Sequence, residues 1–356
     1  MRHGVIMAGG VGVRLWPLSR KGRPKQILRL FSGTSLLRQS FERVAACLAP
    51  EQINVITNHT HLPFVTSEIP ELPAGNLIGE PEGRDTANAV GLASAILARR
   101  DPEAVIAVFT ADHIITPMDR FCAALEQAYK MAEEHPDALV TMGIKPNRPD
   151  TNYGYIWRGD RVAEDVFEVK KFTEKPTVAK AMKYLGSGEY YWNSGMFVWR
   201  AATILDQLKK HLPQSYDAIE EIADAWSTDA RQAKLEALYP SLMKISIDFA
   251  VMERAEKVFV VEMPCHWVDV GSWPAMEAVI PADADGNVSA CARVINLGSR
   301  GNIIVSEEKH LIATIGVDDL VIVHSPDATL ICNKRDATGI KELVDNVRAK
   351  YGDEYL

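Results

Sequence analysis

Residues 4–25 read GVIMAGGVGVRLWPLSRKGRPK, a short apolar run followed by a loop that opens with three glycines in four positions. The run Gly4–Ala8 has the length and composition of a β-strand, the first of an open sheet. Glycines let the backbone turn sharply and bring its N–H groups within reach of an anion, and Arg14 and Lys25 add positive charge at two separated points. The stretch therefore predicts a strand followed by a phosphate-binding loop, with a nucleoside triphosphate as the expected ligand.

Two better-known glycine loops do not fit this stretch. A P-loop ends in Gly-Lys-Ser or Gly-Lys-Thr, and no such triplet follows Gly12. The dinucleotide fingerprint G-x-G-x-x-G, started at Gly10, would need a glycine where Leu15 stands. The alternative that the glycines make only a tight turn stays open, although the two cations weigh against it.

The first 145 residues alternate between strand-like and helix-like patterns, which is typical of βαβ units on a parallel sheet. In such sheets ligands lie beyond the carboxyl ends of the strands, so Gly9–Arg14, Arg84–Asn88 and Asp112–His113 are expected at one edge, where they can share a pocket. The predicted strands are Gly4–Ala8, Ile53–Thr57, Ala104–Thr110 and Ala138–Gly143, and the predicted helices are Ser35–Leu48, Thr86–Arg99 and Arg120–Glu134.

The pattern changes twice in the rest of the chain. From residue 150 to about 262, aromatic strands and polar helices indicate a subdomain that covers the substrate, and beyond Pro281 short β segments separated by glycines lead to a charged helix, Thr338–Lys350. We therefore predict an α/β protein with a Rossmann-like, doubly wound mixed sheet in a catalytic domain, 1–280, and a small β-rich C-terminal domain, 281–356. The expected elements of the middle region are strands Tyr153–Trp157, Val166–Phe172 and Gly195–Trp199 and helices Ala201–Lys210, Tyr216–Ala225 and Ala230–Leu238.

Composition and charge narrow the function classes. The chain has 356 residues, 47% of them hydrophobic and 24% charged, as is usual for a soluble globular protein. Its formal net charge of −8 argues against a nucleic-acid surface, so an anionic substrate would have to be held by local cations or by a metal. The candidate cations are Arg14, Lys25, Arg84 and Lys175.

Location and redox state are also constrained. The longest apolar runs, such as Ala104–Phe109, fall far short of the roughly 20 residues that cross a bilayer, and the N-terminus lacks the apolar core of a signal peptide. We expect a cytoplasmic protein with no membrane partner. The five cysteines are odd in number, widely spaced and without a C-x-x-C pair, so we expect them to be reduced and structural.

Several motifs together resemble those of the sugar nucleotidyltransferases. The form GGxGxRLWPLS followed by PKQ is most similar to the mannose-1-phosphate guanylyltransferases. This resemblance implies a nucleotide-diphospho-sugar transferase fold, transfer of GMP from GTP to α-D-mannose 1-phosphate with GDP-mannose and pyrophosphate as products, Mg²⁺ as cofactor and a homodimer. The further motifs are GEPEGRDTANA (79–89), FTADH (109–113), NYGYI (152–156), FTEKP (172–176), YYWNSGMFVW (190–199), ISIDFAVME (245–253) and VDVGSW (268–273).

The C-terminal part resembles the β-rich linker of this family. In longer members a phosphomannose isomerase domain follows that linker, and this chain stops at Leu356, so no isomerase activity is expected. For the linker itself, completion of the fold or subunit packing is favoured over a regulatory site.

Two aspartates are the candidate metal ligands. Asp112 follows the most apolar strand and, taken alone, could equally cap a turn. Asp269 lies between two valines and, taken alone, could equally be the polar face of a strand. The resemblance implies that the two together hold Mg²⁺, for which carboxylate oxygens are suitable ligands.

Three cations are the candidate catalytic residues. The resemblance implies that Lys25 holds the triphosphate near the reacting phosphorus, that Arg14 lies beside the β and γ phosphates and that Lys175 holds the sugar 1-phosphate. Taken alone, Lys175 could be an ordinary surface lysine. A phosphate monoester has a second pKa of about 6, so the attacking oxygen is largely ionised at neutral pH and needs no general base. In-line attack without a covalent intermediate is therefore expected.

Base and sugar recognition are assigned to two further groups of residues. Guanine presents N1–H and a 2-amino group side by side, so the Glu80 carboxylate could accept both; the alternative is that backbone groups around Arg84–Asn88 read the base. The nucleotide-binding set is Ala8, Gly9, Gly10, Gly12, Glu80, Arg84, Asp85, Thr86, Asn88 and Asp112, and the sugar-binding set is Tyr153, Gly154, Glu174, Asn193, Ser194 and Gly195.

Two alternative functions remain at this point. One is a nucleotidyltransferase that acts on a different sugar 1-phosphate, such as that of glucose or a heptose. The other is a non-catalytic nucleotide-sugar sensor, which would be expected to have lost the phosphate or metal groups that are present here.

Overall fold

The computed structural model describes residues 1–10, 12–31 and 33–356. The helices of more than one turn are α1 Leu36–Ala45, α2 Leu62–Glu68, α3 Asp85–Arg100, α4 Met118–Glu134, α5 Val178–Ser187, α6 Ala201–His211, α7 Pro213–Asp224, α8 Arg231–Leu238 and α9 Ile340–Tyr351. The strands are β1 Arg2–Met7, β2 Ile53–Asn58, β3 Leu77–Glu80, β4 Val105–Thr110, β5 His113–Thr116, β6 Leu139–Ile144, β7 Tyr155–Ala163, β8 Val166–Thr173, β9 Tyr190–Arg200, β10 Val258–Glu262, β11 His266–Asp269, β12 Val288–Ala290, β13 Arg293–Leu297, β14 Ile303–Ser306, β15 Leu311–Ile315, β16 Leu320–His324 and β17 Thr329–Asn333.

Nine strands form one mixed sheet in the order β3-β2-β1-β4-β9-β6-β10-β8-β7. The pairs among β3, β2, β1 and β4 are parallel, whereas β9 runs antiparallel to both β4 and β6. The α/β class with a Rossmann-like mixed sheet is therefore confirmed. The four strands predicted in the first 145 residues are present to within two residues at each end.

Helices cover both faces of this sheet, which explains why its central strands are apolar on both sides. In β1, Val5 packs into the core beneath α3, α6 and α7, and its neighbour Ile6 packs into the core beneath α1 and α4. Successive side chains of a strand point to opposite faces, so each strand of this kind contributes to both cores. Both residues are fully buried.

The middle region, residues 150–262, does not form a sheet of its own, and its expected role as a cover over the substrate stays a prediction. Its strands β7 to β10 extend the same nine-stranded sheet, and the 11-residue β9 lies between β4 and β6 near the centre. Burial explains this position: Phe197 and Trp199 face one core and Met196 and Val198 face the other, so the strand needs cover on both sides.

The C-terminal part consists of short strands stacked as rungs. β12, β14, β16 and β17 form one sheet and β13 and β15 another, with parallel pairs that align Val288, Ile303 and Val321. These valines and isoleucines share a core with Leu15 and Trp16 of the N-terminal loop. The indole Nε1 of Trp16 also donates to the Tyr355 carbonyl oxygen at 2.8 Å. The domain boundary at residue 280 stays a prediction.

The expectation of five reduced cysteines is wrong for two of them. Cys47, just beyond α1, forms a disulfide with Cys122 of α4, and their Cα atoms are 5.8 Å apart. The two residues are 75 positions apart and meet because α1 and α4 pack on the same face of the sheet, which the spacing of cysteines does not reveal. Cys265, Cys291 and Cys332 are free. None of the helices described above is long and apolar enough to cross a membrane.

Candidate active site

The predicted site residues follow the carboxyl ends of neighbouring strands. β1 leads into the glycine loop, β3 ends at Glu80, and β4 ends at Thr110, two residues before Asp112. Because β3, β2, β1 and β4 are adjacent and parallel, these ends lie along one edge of the sheet, as expected. The site has three parts along this edge and the adjoining strands, and two of them are named only for the ligand that the sequence predicts there. They are an acid centre (Asp112, Asp269 and Lys25), a base end (Glu80 with residues 84–88) and a sugar end (Tyr153, Gly154, Glu174 and residues 193–195).

The glycine loop takes a conformation that side chains would prevent. Gly10 and Gly12 have φ of +95° and +69°. A Cβ at Gly12 would lie 2.7 Å from the Cβ of Lys25, so the absence of a side chain lets Lys25 pass close beneath the loop. Gln26 donates from Nε2 to the Gly9 carbonyl oxygen at 2.5 Å and fixes the start of the loop. Arg14 is exposed in the short 3-10 helix that follows.

The acid centre unites three residues that are far apart in sequence. β5 and β11 pair antiparallel with Asp269 opposite His113, and the Val270 N–H donates to the Asp112 carbonyl oxygen at 3.0 Å. This short ladder brings carboxylate oxygens of Asp112 and Asp269 and a ring nitrogen of His113 within 4.8 Å of one another. The Lys25 ammonium forms an ion pair with Asp112, and their side chains are 16% and 15% exposed.

The charges of the acid centre depend on each other. Burial is the largest single influence on Asp112 and would raise its pKa, but the Lys25 ammonium, His113 and hydrogen bonds together outweigh it and lower that pKa to about 2. Burial by itself would lower the pKa of Lys25, but the two carboxylates raise it. Burial and then the negative charge of Asp112 raise the pKa of Asp269. Two carboxyl groups therefore share one ammonium, and when both are ionised the centre has a net negative charge that favours binding of a cation.

The hydrogen bonding of His113 distinguishes it from the two neighbouring aspartates. The Trp267 indole Nε1 donates to His113 Nδ1 at 3.2 Å, and an indole can only donate. Burial lowers the pKa of His113, so the ring is neutral, and its proton must then lie on Nε2. Nε2 is therefore a donor directed towards the carboxylates rather than a metal ligand. Asp112 and Asp269 fit a metal ion, and His113 fits a hydrogen bond to one of them or to a phosphate.

Glu80 lies at the base end with a buried carboxyl group. Its side chain receives a hydrogen bond from the Tyr239 hydroxyl on Oε1, and Oε2 lies 4.0 Å from where a Cβ on Gly9 would be. Burial raises the pKa of Glu80 to about 7, although the Tyr239 hydrogen bond lowers it. Glu80 is thus next to the glycine loop, as expected, with a carboxyl that titrates near neutrality.

Residues 84–88 have more structural contacts than the sequence suggested. The Asn88 side-chain amide donates to the carbonyl oxygens of Arg84 and Met243, each at 2.8 Å. The Thr86 hydroxyl accepts from the Ile247 N–H at 2.8 Å, and Arg84 pairs with Glu82. These side chains fix the segment 243–247 against the start of α3. Asp85 is exposed at φ +66°.

The sugar end begins with a close approach between β7 and the FTEKP turn. A Cβ at Gly154 would lie 2.5 Å from Glu174 Oε2, so this glycine makes room for the carboxyl group. Lys175 follows at φ +43° with a side chain that is 64% exposed and 3.3 Å from Glu174. Burial raises the pKa of Glu174. Lys175 is therefore not in direct contact with the acid centre.

Residues 193–195 connect the sugar end to the acid centre. Asn193 donates from Nδ2 to Asp248 at 2.9 Å and accepts the Gly195 N–H at 3.1 Å. Gly195 has φ +69°, and a Cβ there would lie 3.9 Å from Cε1 of His113. Ser194 is buried and donates to the Met142 carbonyl oxygen at 2.6 Å, so its side chain faces the core rather than the pocket.

The aromatic residues of the sugar end pack edge to face. The Tyr153 ring centroid lies 5.2 Å from that of Trp192 and 4.9 Å from that of Trp267. Trp267 in turn orients His113, so one aromatic group links the sugar end to the acid centre.

Four side chains were not assigned by sequence reasoning: Tyr239, His113, Asp248 and Trp267. Asp248 is largely buried within the ISIDFAVME motif, and burial followed by the charge of Glu174 raises its pKa to about 7. The signal for Asp248 was the motif itself, and His113 stands in FTADH beside an assigned aspartate. No pattern in the sequence singles out Tyr239 or Trp267.

Comparisons with known proteins show similarity over most of the chain. A family model described as "Nucleotidyl transferase" matches residues 3–286, and one described as "MannoseP isomerase/GMP-like beta-helix domain" matches residues 292–347. The mannose-1-phosphate guanylyltransferase of Escherichia coli strain K12 is 40% identical over 356 residues, which cover 97% of this chain and 73% of that protein.

Two solved structures are similar as well. A Thermus thermophilus crystal structure titled mannose-1-phosphate geranyltransferase has a TM-score of 0.88 and 35% identity, covering 98% of this chain and 99% of the other. A Helicobacter pylori structure titled mannose-6-phosphate isomerase has a TM-score of 0.62 and 30% identity, covering 75% of this chain and 99% of the other. The similarity thus extends over both the nine-stranded sheet and the C-terminal rungs.

Proposed function

The chain belongs to the nucleotidyl transferase family, and from this premise we propose that it transfers GMP from GTP to α-D-mannose 1-phosphate, giving GDP-mannose and pyrophosphate. The observation that carries the proposal is the acid centre beside the glycine loop, where Lys25 passes beneath Gly12 and pairs with Asp112. A cation and two carboxyl groups thus lie beside the loop on which the phosphates of a nucleotide are proposed to bind.

The mechanism rests on alignment and charge neutralisation. The phosphate of the sugar substrate is already largely ionised at neutral pH, so its oxygen attacks the α-phosphorus of GTP in line and no side chain has to remove a proton. Lys25 neutralises charge near that phosphorus, and the exposed Arg14 is available to the β and γ phosphates of the departing pyrophosphate. No protein nucleophile or covalent intermediate takes part.

Asp112 and Asp269 would hold Mg²⁺ in this proposal. Two carboxylates supply the hard oxygen ligands that the ion prefers, and a single ammonium leaves one negative charge in the centre unbalanced. When bound, the ion supplies positive charge to the phosphate oxygens. The His113 Nε2–H is available to orient a carboxylate or a phosphate oxygen.

Lys175 is proposed to hold the sugar phosphate although it lies outside the acid centre. Its side chain is exposed, and its partner Glu174 is also the carboxyl group that would fix a sugar hydroxyl. An incoming phosphate would replace the contact of Lys175 with Glu174, whose carboxyl group is 11% exposed. Glu80 is proposed to bind the guanine base. The proposed location of the protein is the cytoplasm, where nucleotides and sugar phosphates are used.

Pyrophosphate release tests the proposal. The enzyme is incubated with Mg²⁺, each of GTP, ATP, UTP and dTTP, and either mannose 1-phosphate or glucose 1-phosphate. We expect fast release with GTP and mannose 1-phosphate alone. If another pair is faster, the base or sugar assignment is wrong while the chemistry stands. If every pair is inactive, the chain is not a catalyst and a nucleotide-sugar sensor becomes the better explanation.

A second assay addresses isomerisation, because one similar structure carries an isomerase name. The same preparation is incubated with mannose 6-phosphate, and we expect no formation of fructose 6-phosphate. Conversion at a rate comparable with pyrophosphate release would show a second activity that the proposed acid centre does not explain.

A further inference from the structure

The Glu80 carboxyl has unusual surroundings for an acidic side chain. It is 5% exposed, and its hydrogen-bond partner among the described residues is the Tyr239 hydroxyl. The other ionisable groups nearby are His59, whose Nδ1 lies 3.3 Å from the Glu80 carbonyl oxygen, and Arg84, which pairs with Glu82. The carboxyl is thus held by a neutral donor, whereas the acid centre has an ammonium.

We propose that Tyr239 is a specificity-determining residue for the nucleotide base, because its hydroxyl favours the ionised form of Glu80 that guanine requires. The inference rests on the proposed function, since it takes guanine as the base that Glu80 reads. Tyr239 acts through Glu80 and is a positioning residue rather than a catalytic one.

The two protonation states of Glu80 complement different purines. An ionised carboxyl offers two acceptors, which match the N1–H and 2-amino donors of guanine. A protonated carboxyl offers one donor and one acceptor, which match N1 and the 6-amino group of adenine. Whatever keeps the carboxyl ionised therefore favours guanine over adenine.

Tyr239 is placed to control this choice. Its side chain is completely buried in the core beneath α3, so the hydroxyl is held at Oε1 of Glu80. A hydrogen bond to the charged form of an acid stabilises that form, and here it opposes burial, which raises the pKa of Glu80. Oε2 lies 4.0 Å from where a Cβ on Gly9 would be, so the second carboxyl oxygen is beside the glycine loop.

The experiment measures the ratio of kcat/KM for GTP to kcat/KM for ITP between pH 6 and pH 9. Inosine keeps the N1–H and the triphosphate but lacks the 2-amino group, so titration of the phosphates cancels in the ratio. In the wild type we expect the ratio to rise with pH around a midpoint near 7. In Tyr239→Phe we expect a higher midpoint, a ratio at pH 7 reduced about fivefold, and a gain for ATP relative to GTP. The kcat at saturating GTP should change less than the ratio.

Two further variants serve as controls. Tyr129→Phe also removes a buried hydroxyl, which donates to the His3 carbonyl oxygen at 2.8 Å away from the site, and its ratio should equal that of the wild type at every pH. Glu80→Gln carries one donor and one acceptor at all pH values, so its ratio should be low and independent of pH. Adding Tyr239→Phe to Glu80→Gln should then change nothing further.

The outcomes separate this inference from the proposed function. If the wild type shows no preference for GTP in the nucleotide panel, the proposed function fails. If the preference holds but folded Tyr239→Phe keeps the wild-type midpoint and ratio, the inference alone is overturned. Should Tyr239→Phe not fold, Glu80→Gln decides: a ratio that still rises with pH overturns the inference.

Discussion

The acid centre and the base end place buried carboxyl groups at the same edge of the sheet but treat them differently. In the acid centre Asp112 lies against the Lys25 ammonium, and its pKa falls to about 2 in spite of burial. At the base end Glu80 has a phenol as its partner, and its pKa rises to about 7. A cationic partner fixes the charge of a buried acid, whereas a neutral donor leaves it open to titration near neutral pH. Asp112 is thereby kept charged near neutral pH, whereas Glu80 can gain or lose a proton there.

The largest effect is expected in the acid centre. Asp269→Asn keeps the shape of the side chain but removes the charge that is proposed to bind the metal. We expect pyrophosphate release to fall by about three orders of magnitude or more, with an unchanged circular dichroism spectrum. Mn²⁺ binding, followed by electron paramagnetic resonance, should weaken in parallel. Turnover close to that of the wild type would contradict the assignment of Asp269 as a metal ligand.

Removing the cation tests why the two regions differ. Lys25→Met leaves Asp112 and Asp269 without their ammonium, and loss of one partner of a buried ion pair typically costs about 3 kcal/mol. Urea unfolding at pH 7 without divalent ions should show this loss of stability. In a separate assay with Mg²⁺, turnover should fall by at least about a hundredfold. Lys25→Arg, which keeps the charge, should recover most of the stability. Equal stability of the Met variant and the wild type would mean that the ammonium does not hold the acid centre.

The glycine loop lies between the two regions, and its contact with Lys25 can be tested separately from its conformation. Gly12→Ala places a Cβ 2.7 Å from Lys25, whereas Gly10→Ala meets nothing within 4 Å, and both positions have positive φ. We expect the KM for GTP to rise about tenfold more in Gly12→Ala than in Gly10→Ala, because only the former displaces Lys25. Similar KM values in the two variants would limit the role of Gly12 to backbone conformation.

The smallest predicted effect is on how the free energy of unfolding changes with pH. Glu80 has a raised pKa in the folded state, so between pH 5 and pH 8 the folded protein holds a proton that the unfolded chain has lost, and stability falls as pH rises. Glu80→Gln removes this cost, and its free energy of unfolding relative to the wild type should increase by about 2 kcal/mol from pH 5 to pH 8. Asp112 has a lowered pKa and is ionised in both states over this range. It therefore adds no slope of its own, and a difference between Glu80→Gln and the wild type that stays constant from pH 5 to pH 8 would contradict the comparison.

The sequence predicted the sheet well where strands follow one another in simple βαβ order. It missed the position of β9, because an antiparallel strand inserted between β4 and β6 depends on pairings between distant residues, such as Val105 with Arg200 and Val140 with Val198. Its apolar pattern, buried on both faces, was nevertheless a sign of a central strand. The disulfide between Cys47 and Cys122 was missed for the same reason of long-range contact.

The sequence predicted which residues lie at the candidate site better than it predicted what their side chains contact. Asp112 and Asp269 were paired by family resemblance, and the physical cause of their meeting, the ladder between β5 and β11, is visible in the structure alone. Asn88 and Ser194 lie in the expected motifs, but their side chains hold the backbone of neighbouring segments. Tyr239 stands 159 positions from Glu80, so no local pattern could connect them.

The contact between Trp16 and Tyr355 links the two ends of the chain. Leu15 and Trp16, next to the phosphate-binding segment, are buried in the same core as Val321 and Ile340, and the Trp273 indole donates to the Trp16 carbonyl oxygen at 3.1 Å. We therefore expect the C-terminal rungs and the N-terminal loop to unfold as one cooperative unit, because neither can expose its apolar surface without the other. A nucleotide bound to the loop is therefore expected to slow hydrogen exchange in helix α9, which contacts the segment Val13–Leu15.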